Sequence, residues 1–409
     1  MNTVRPVLWI ALLATLVLSP GVTQEVTRDS DIAREFRFNI ENQAQYRLIS
    51  INEQTISLNG YAVRDAEIVT RVQIEPRGTT NGQGRYVATF ALTESSRRAG
   101  QPVGLESQHR SEYVRDPRGF MEIDDRYIMP VSRNIPIFPE EAVSPGDTWT
   151  AEAQEVHDLS RGYNVSEPLR LTFPVSYEYA GVTTWNGSEV DLIHAEYNIA
   201  HREQRDAMLY PQAVTGQSQQ RLYWDNRRGR LVGGEEEYWI EFRLSDGRTI
   251  TYQGDATVEV EAATPLDRTS VVAALQARLD EAGIENTRVS DQEEGVVLIL
   301  ERIGFPPDSA RILPDEEERL AIIGEILADF PENDLLITGH TALAGTASGR
   351  EQLSVSRARA VGEFFLDNEV RDPSRILYRG VGAAEPIADN DTEEGRSRNR
   401  RVEIMVLDN

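Results

Sequence analysis

The chain has 409 residues, a net charge of -25, 42 basic residues that are all arginine, and no cysteine. The length allows two or three domains with cores of their own, and the lack of cysteine excludes disulfides, thiolate metal sites and a sulfur-linked lipid at the amino end. So acidic a surface repels nucleic acid, which is therefore not an expected partner.

Residues 1–24 read as an export signal: Arg5 precedes the apolar run from Val7 to Leu18, which ends in Ser19-Pro20-Gly21. The run is shorter than the roughly 20 apolar residues of a membrane-spanning helix. From Phe36 to Val260 the pattern is that of strands. Leu169, Leu171, Phe173, Val175, Tyr177 and Tyr179 alternate with Arg170, Thr172, Pro174, Ser176 and Glu178, the period of a half-buried strand. The same period runs through Tyr86, Ala88, Phe90 and Leu92, and through Tyr238, Ile240, Phe242 and Leu244. Asp225-Asn226-Arg227-Arg228-Gly229 and Ser245-Asp246-Gly247 predict hairpin connections. A proline-rich break from Met129-Pro130 to Pro139 divides the region, giving two expected β-rich domains at 25–135 and 136–264.

Past Pro265 the period becomes helical. Val272, Leu275, Leu279 and Ala282 predict one helical face closed by Gly283, and Gly295–Leu300 predicts a buried strand. Asp315 with Glu318 three residues on predicts an N-cap, followed by a helix lined by Leu320, Ile323, Leu327 and Phe330. Strands at 335–338, 375–378 and 402–407 and a helix at 351–366 complete an alternating β-α-β-α-β pattern. The expected fold class is thus multi-domain α+β: antiparallel β-rich amino-terminal and central units, then a carboxyl-terminal α/β domain with a mixed sheet over 265–409.

Catalytic chemistry is thin. The histidines at 109, 157, 194, 201 and 340 show no metal-binding helical spacing, and no nucleophile elbow, phosphate loop or dinucleotide fingerprint occurs. The acid runs Glu235-Glu236-Glu237, Asp124-Asp125 and Glu316-Glu317-Glu318 read as solvated faces. A non-enzymatic chain with no metal and no cofactor is expected.

Gly339-His340-Thr341-Ala342, Leu353-Ser354-Val355-Ser356-Arg357-Ala358 and the stretch Gly395–Glu403 occur in that order, with Gly304–Ala310 before them and Pro386–Asn390 between. In these blocks the chain from about Thr269 to Asn409 resembles the OmpA-like domain shared by peptidoglycan-associated lipoproteins and flagellar stator proteins. In that family an acid after His-Thr and an arginine on the following helix hold the zwitterionic end of diaminopimelate from the cell wall. The resemblance implies a ligand set of Thr341, Leu353, Ser354, Arg357, Asn390 and Arg400. At the acid's position this chain has Ala342, with the family's spacing to Arg357 intact, and Arg350 stands where the family commonly has Asn.

A guanidinium fork suits a carboxylate and an ammonium requires an acid, so half of the clamp is missing. The expectation is a periplasmic, outer-membrane or wall-associated structural protein that binds conventional diaminopimelate peptidoglycan weakly or not at all and contacts other envelope proteins. Two alternatives are an anchor for a modified stem peptide and a lipid or lipoprotein carrier acting through the β-rich domains. An outer-membrane barrel competes with curved soluble sheets for the β-rich region. Arg396, Arg398, Arg400 and Arg401 read first as support for the terminal strand.

Overall fold

The computed structural model describes residues 33–408 apart from 96–100, 164, 264–265, 293, 302 and 307. The expected export signal at 1–24 lies outside the described residues. The described residues form two compact units, one drawn from 33–92 with 107–263, the other from 93–106 with 266–408.

The first unit is built from β1 (Tyr46–Leu58), β2 (Tyr61–Thr80), β3 (Gln83–Ser95), β4 (Val103–Arg115), β5 (Met121–Ile123), β6 (Ser132–Arg133), β7 (Thr148–His157), the single turn α1 (Ser160–Tyr163), β8 (Leu169–Trp185), β9 (Ser188–Arg202), β10 (Pro211–Asp225), β11 (Arg230–Leu244) and β12 (Thr249–Ala262), except that the end of β3 from Thr93 and the start of β4 up to Glu106 belong to the second. Antiparallel ladders run from β6 through β7, β8, β9, β10, β11 and β12 to β1 and β2.

Alternation decides which face is packed. All six apolar residues from Leu169 to Tyr179 are buried, and the residues between them are half-buried or exposed. They join Trp224, Tyr238, Ile240, Phe242 and Tyr252 in one core. Three two-residue turns, Asn59-Gly60, Asn81-Gly82 and Asn186-Gly187, have positive φ at both positions. That is the type I′ geometry whose twist matches the strands it joins, and asparagine and glycine adopt it at least cost. The predicted hairpins also form: Asp225 Oδ1 accepts from the backbone N–H groups of Arg227 and Arg228 at 3.0 Å, closing β10 onto β11.

The sequence splits this region at 135/136, and the structure does not. The proline-rich stretch is core, not linker: Val131, Ile137 and Phe138 are buried, and the Phe138 ring stacks on Phe36 and meets Trp224 edge-on. Pairing of β1 with β12 along their whole lengths joins the two halves into one unit.

The second unit contains α2 (Arg268–Glu281), β13 (Thr287–Gln292), β14 (Gly295–Glu301), α3 (Pro314–Leu327), β15 (Leu335–Gly339), α4 (Ala347–Asp367), β16 (Ile376–Gly380), α5 (Glu393–Asn399) and β17 (Arg401–Leu407). Its sheet is mixed, in the order β13-β14-β17-β15-β16, with β15 and β16 parallel and the other pairs antiparallel. Beyond β16 the first residues of β4 add a short parallel pairing, Val103 with Leu377 and Gly104 with Tyr378.

Leu275, Leu279, Leu320, Ile323, Ala358, Val361 and Phe365 from α2, α3 and α4 pack on one sheet face. Val297, Leu336, Leu377 and Met405, with Val103 and Leu105 against them, occupy the other. One cap differs from expectation. Helix α3 begins at Pro314 with Leu313 in the capping position and no side-chain cap, so Asp315 lies in the first turn with Glu316 and Glu317. Proline is preset for the first helical position, and the acids there complement the helix dipole.

Candidate functional site

Strand β15 ends at Gly339, where helix α4 passes so close that a Cβ would lie 2.1 Å from the Ser354 carbonyl oxygen. Gly380 at the end of β16 is equally confined, its Cβ position 2.4 Å from Ser354 Oγ. Ser354 itself is fully buried, donates to the Glu351 carbonyl at 2.7 Å and accepts from the Gly382 N–H at 2.9 Å. Gly382 in turn accepts from the Thr341 N–H at 2.8 Å. The segment His340-Thr341-Ala342 is thus tied to α4 through one glycine and one serine.

His340 is buried, its Nε2 3.6 Å from Glu403 Oε1, and Arg401 Nε donates to the same carboxylate at 2.7 Å. Burial alone would raise the Glu403 pKa, but the His340 and Arg401 partners outweigh it and hold the carboxyl at about 2. Thr341 Oγ1 is buried and makes no hydrogen bond, and Ala342 next to it is 6 % exposed. Asn390 reaches this segment from the later loop, its Oδ1 accepting from the Leu343 N–H at 3.0 Å.

Arg357 lies on α4, three residues after Ser354. Its Nε donates to the Ser309 carbonyl at 3.0 Å and its guanidinium stands over the Phe305 ring at 4.9 Å. No acid forms an ion pair with it among the described residues. Burial, then the nearby Arg400, pushes its pKa down, with Asp308 opposing; an arginine remains a cation throughout. Leu353 is half-buried on the same helix, and Arg350 donates to the Gly345 carbonyl at 2.7 Å.

The other arginines of the predicted cluster have partners. Arg396 and Arg400 share Glu393, Arg398 donates to Glu301 Oε2 at 2.9 Å, and Arg401 holds Glu403. Asn399, fully buried, accepts from the Ile387 and Ala388 N–H groups and returns a bond to the Ala388 carbonyl, fixing the loop that carries Asn390.

Of the residues singled out from the sequence, Thr341 and Ser354 are therefore linked through Gly382, and Asn390 holds the next residue but one after Thr341, Leu343. Arg357 and Arg400 are electrostatic neighbours, and Leu353 lies one turn before Arg357 on the helix. Sequence reading overlooks Phe305, which forms the floor under Arg357, although its loop was legible as a family block. Asn399, which the sequence reading gives a supporting role in the terminal strand's packing, instead fixes the loop at 387–388 through backbone contacts that no residue spacing announces. Chemically, the arrangement offers a buried guanidinium that no acid among the described residues pairs with, an unpartnered hydroxyl and an apolar methyl where an acid would complete a zwitterion site.

Residues 304–400 match the model of the OmpA family, and the carboxyl-terminal domain is OmpA-like. The chain is 33% identical over 124 residues to Outer membrane protein Omp38 of Acinetobacter baumannii, covering 30% of this chain and 35% of that protein. It is 32% identical over 135 residues to Probable lipoprotein YiaD of Escherichia coli, covering 33% and 60%, and 36% identical over 104 residues to Peptidoglycan-binding protein ArfA of Mycobacterium tuberculosis, covering 25% and 32%. The chain thus spans about a third of the length of two of these relatives and 60% of the third. Among solved structures, the cell wall anchor of the T6SS from Pseudomonas aeruginosa is 28% identical, covers 34% of this chain and 97% of that one, and superposes with a TM-score of 0.30.

Proposed function

We propose that this chain is a non-enzymatic structural protein of the cell envelope whose OmpA-like domain keeps the guanidinium side of a cell-wall clamp and has lost the acid side. The observation that carries this reading is Ala342, buried beside the unpartnered Thr341 hydroxyl, with Arg357 on the neighbouring helix in no ion pair among the described residues. Removing one member of a buried charge pair costs about 2–5 kcal/mol, which is roughly thirtyfold or more in affinity. Conventional diaminopimelate is bound weakly or not at all.

Support for an envelope location comes from the relatives, which are named as outer membrane, lipoprotein and peptidoglycan-binding proteins. No described helix is long and apolar enough to cross a membrane. For the β-rich unit an aqueous setting is favoured over a lipid-facing barrel, because its outward positions include Glu178, Glu196, Glu237 and Arg243. Charges on the lipid face of a barrel are costly at the midplane.

The test is co-sedimentation of the full chain with peptidoglycan sacculi that carry diaminopimelate. The parent should bind weakly and Ala342→Asp about tenfold or more tighter. Tight binding by the parent, with no gain from Ala342→Asp, overturns the reading. Preference of the parent for amidated over free stem peptides would favour the modified-ligand anchor, to which an apolar Ala342 is better suited than an acid.

A further inference from the structure

The first unit holds a cavity of about 170 Å³ whose wall is apolar, with Val72, Ile74, Phe90, Met121, Met129 and Val131 among its lining. One charged side chain lines it, Arg115. The guanidinium of Arg115 stands 4.6 Å from the Phe38 ring centre and 5.4 Å from that of Tyr113, both of which also line the cavity, and 6.0 Å from that of Tyr86. A tyrosine hydroxyl, that of Tyr46, is its hydrogen-bond partner. Among the described residues no carboxylate pairs with it, and its Nε is buried without an acceptor.

Two further polar atoms on the same wall, Ser132 Oγ and Gln220 Oε1, are likewise buried without a hydrogen bond. Each such orphan costs about 1–3 kcal/mol, more when charged, and a cation in an aromatic box without a counter-ion is the costliest kind. Aromatic faces offset part of that cost by cation–π attraction. They do not supply the anion that a guanidinium fork is shaped to take.

An apolar chamber with a single unmatched cation and a few unpaired hydrogen-bonding atoms has the composition of a ligand site. We infer that this cavity binds a small amphiphile, an apolar tail with an anionic carboxylate or phosphate head, the head on Arg115 and the tail among Val72, Ile74, Met121 and Val131. A cavity of about 150 Å³ accommodates benzene, so the volume fits a tail of about six to eight carbons, or the terminal part of a longer one. The inference stands apart from the reading of the OmpA-like domain, since every residue it uses belongs to the first unit.

The experiment is calorimetric titration of the full chain with octanoate, octyl phosphate and octanol. The charged pair should bind and octanol should bind at least tenfold more weakly; whichever charged head binds tighter identifies the natural one. Arg115→Gln should weaken the charged ligands at least tenfold while leaving octanol within about twofold. Should Arg115→Gln not fold, Val131→Phe, which fills the tail end and keeps the arginine, should abolish binding of all three. No binding of either charged amphiphile to the parent, or equal binding by Arg115→Gln, overturns the inference.

Discussion

Among the described residues neither Arg115 in the β-rich unit nor Arg357 in the OmpA-like unit forms an ion pair with an acid, and the walls around them differ. Arg357 rests on one phenylalanine and donates to the backbone carbonyl of Ser309, in a unit whose neighbouring site segments are held by fixed hydrogen bonds. Arg115 is enclosed by three aromatic rings and faces an apolar chamber. The same guanidinium therefore selects differently in the two places. At a polar loop it reads one end of a hydrophilic group; in an aromatic chamber it can be satisfied only by a ligand that brings its own apolar body.

The comparison can be broken most sharply at the aromatic wall. Trp224 is fully buried, with its ring edge-on to Phe38 at 4.8 Å and to Phe138 at 4.6 Å. Trp224→Ala should destabilise the first unit by about 3–5 kcal/mol, read from denaturant unfolding followed by strand circular dichroism. A loss under about 1 kcal/mol would mean that the wall is not rigidly packed and that the selectivity argued for Arg115 has no physical basis.

A medium effect belongs to the OmpA-like unit. The Glu403 carboxyl is held at about 2, well below its ordinary 4.5, so its contribution is present above about pH 4.5 and is lost as pH falls toward 2. That contribution is on the order of 2–3 kcal/mol. Glu403→Gln should therefore be less stable than the parent at neutral pH and equal to it near pH 2. A difference that persists unchanged at low pH would show that the His340 and Arg401 contacts are not what hold the end of β15.

The smallest effect sharpens the contrast between paired and unpaired arginines. Arg359 and Glu363 form an exposed i, i+4 pair on α4 at 2.8 Å, worth under about 0.5 kcal/mol. Arg359→Ala should shift the unfolding midpoint almost imperceptibly. A cost above about 1 kcal/mol would argue that its second bond, to Gln101 Oε1 at 3.0 Å, matters more than surface pairing allows.

The carboxyl-terminal unit was the more legible because its signals are local. Leu320, Ile323 and Leu327 mark a helical face that the structure buries, and the strand ending in Gly339, apolar but for Thr338, is buried throughout. What escaped is what lacks an apolar pattern. Strand β13 reads Thr-Arg-Val-Ser-Asp-Gln and is half-exposed at the sheet edge, and α5 is a seven-residue polar helix that alternation cannot announce.

In the β-rich unit the alternation of β8 and β11 was plain. The Asn-Gly pairs at 59–60, 81–82 and 186–187 are equally readable turn signals. The unity of the region was not readable, since β1 meets β12 across most of the unit's length and no local pattern encodes that pairing. The same reason hides the Arg115 chamber, whose wall draws on six or more segments far apart in the chain.

The parallel pairing of Val103 and Gly104 with β16 has a consequence for how the protein is made. On a growing chain these residues emerge long before their partners at Leu377 and Tyr378, so that edge of the OmpA-like sheet stays open until synthesis is nearly complete. A fragment starting after residue 264 would leave it open permanently, presenting unpaired backbone that invites association with other chains. The gene's order and the domain's order are not the same, and the last domain to be translated waits on a strand from the first quarter of the chain.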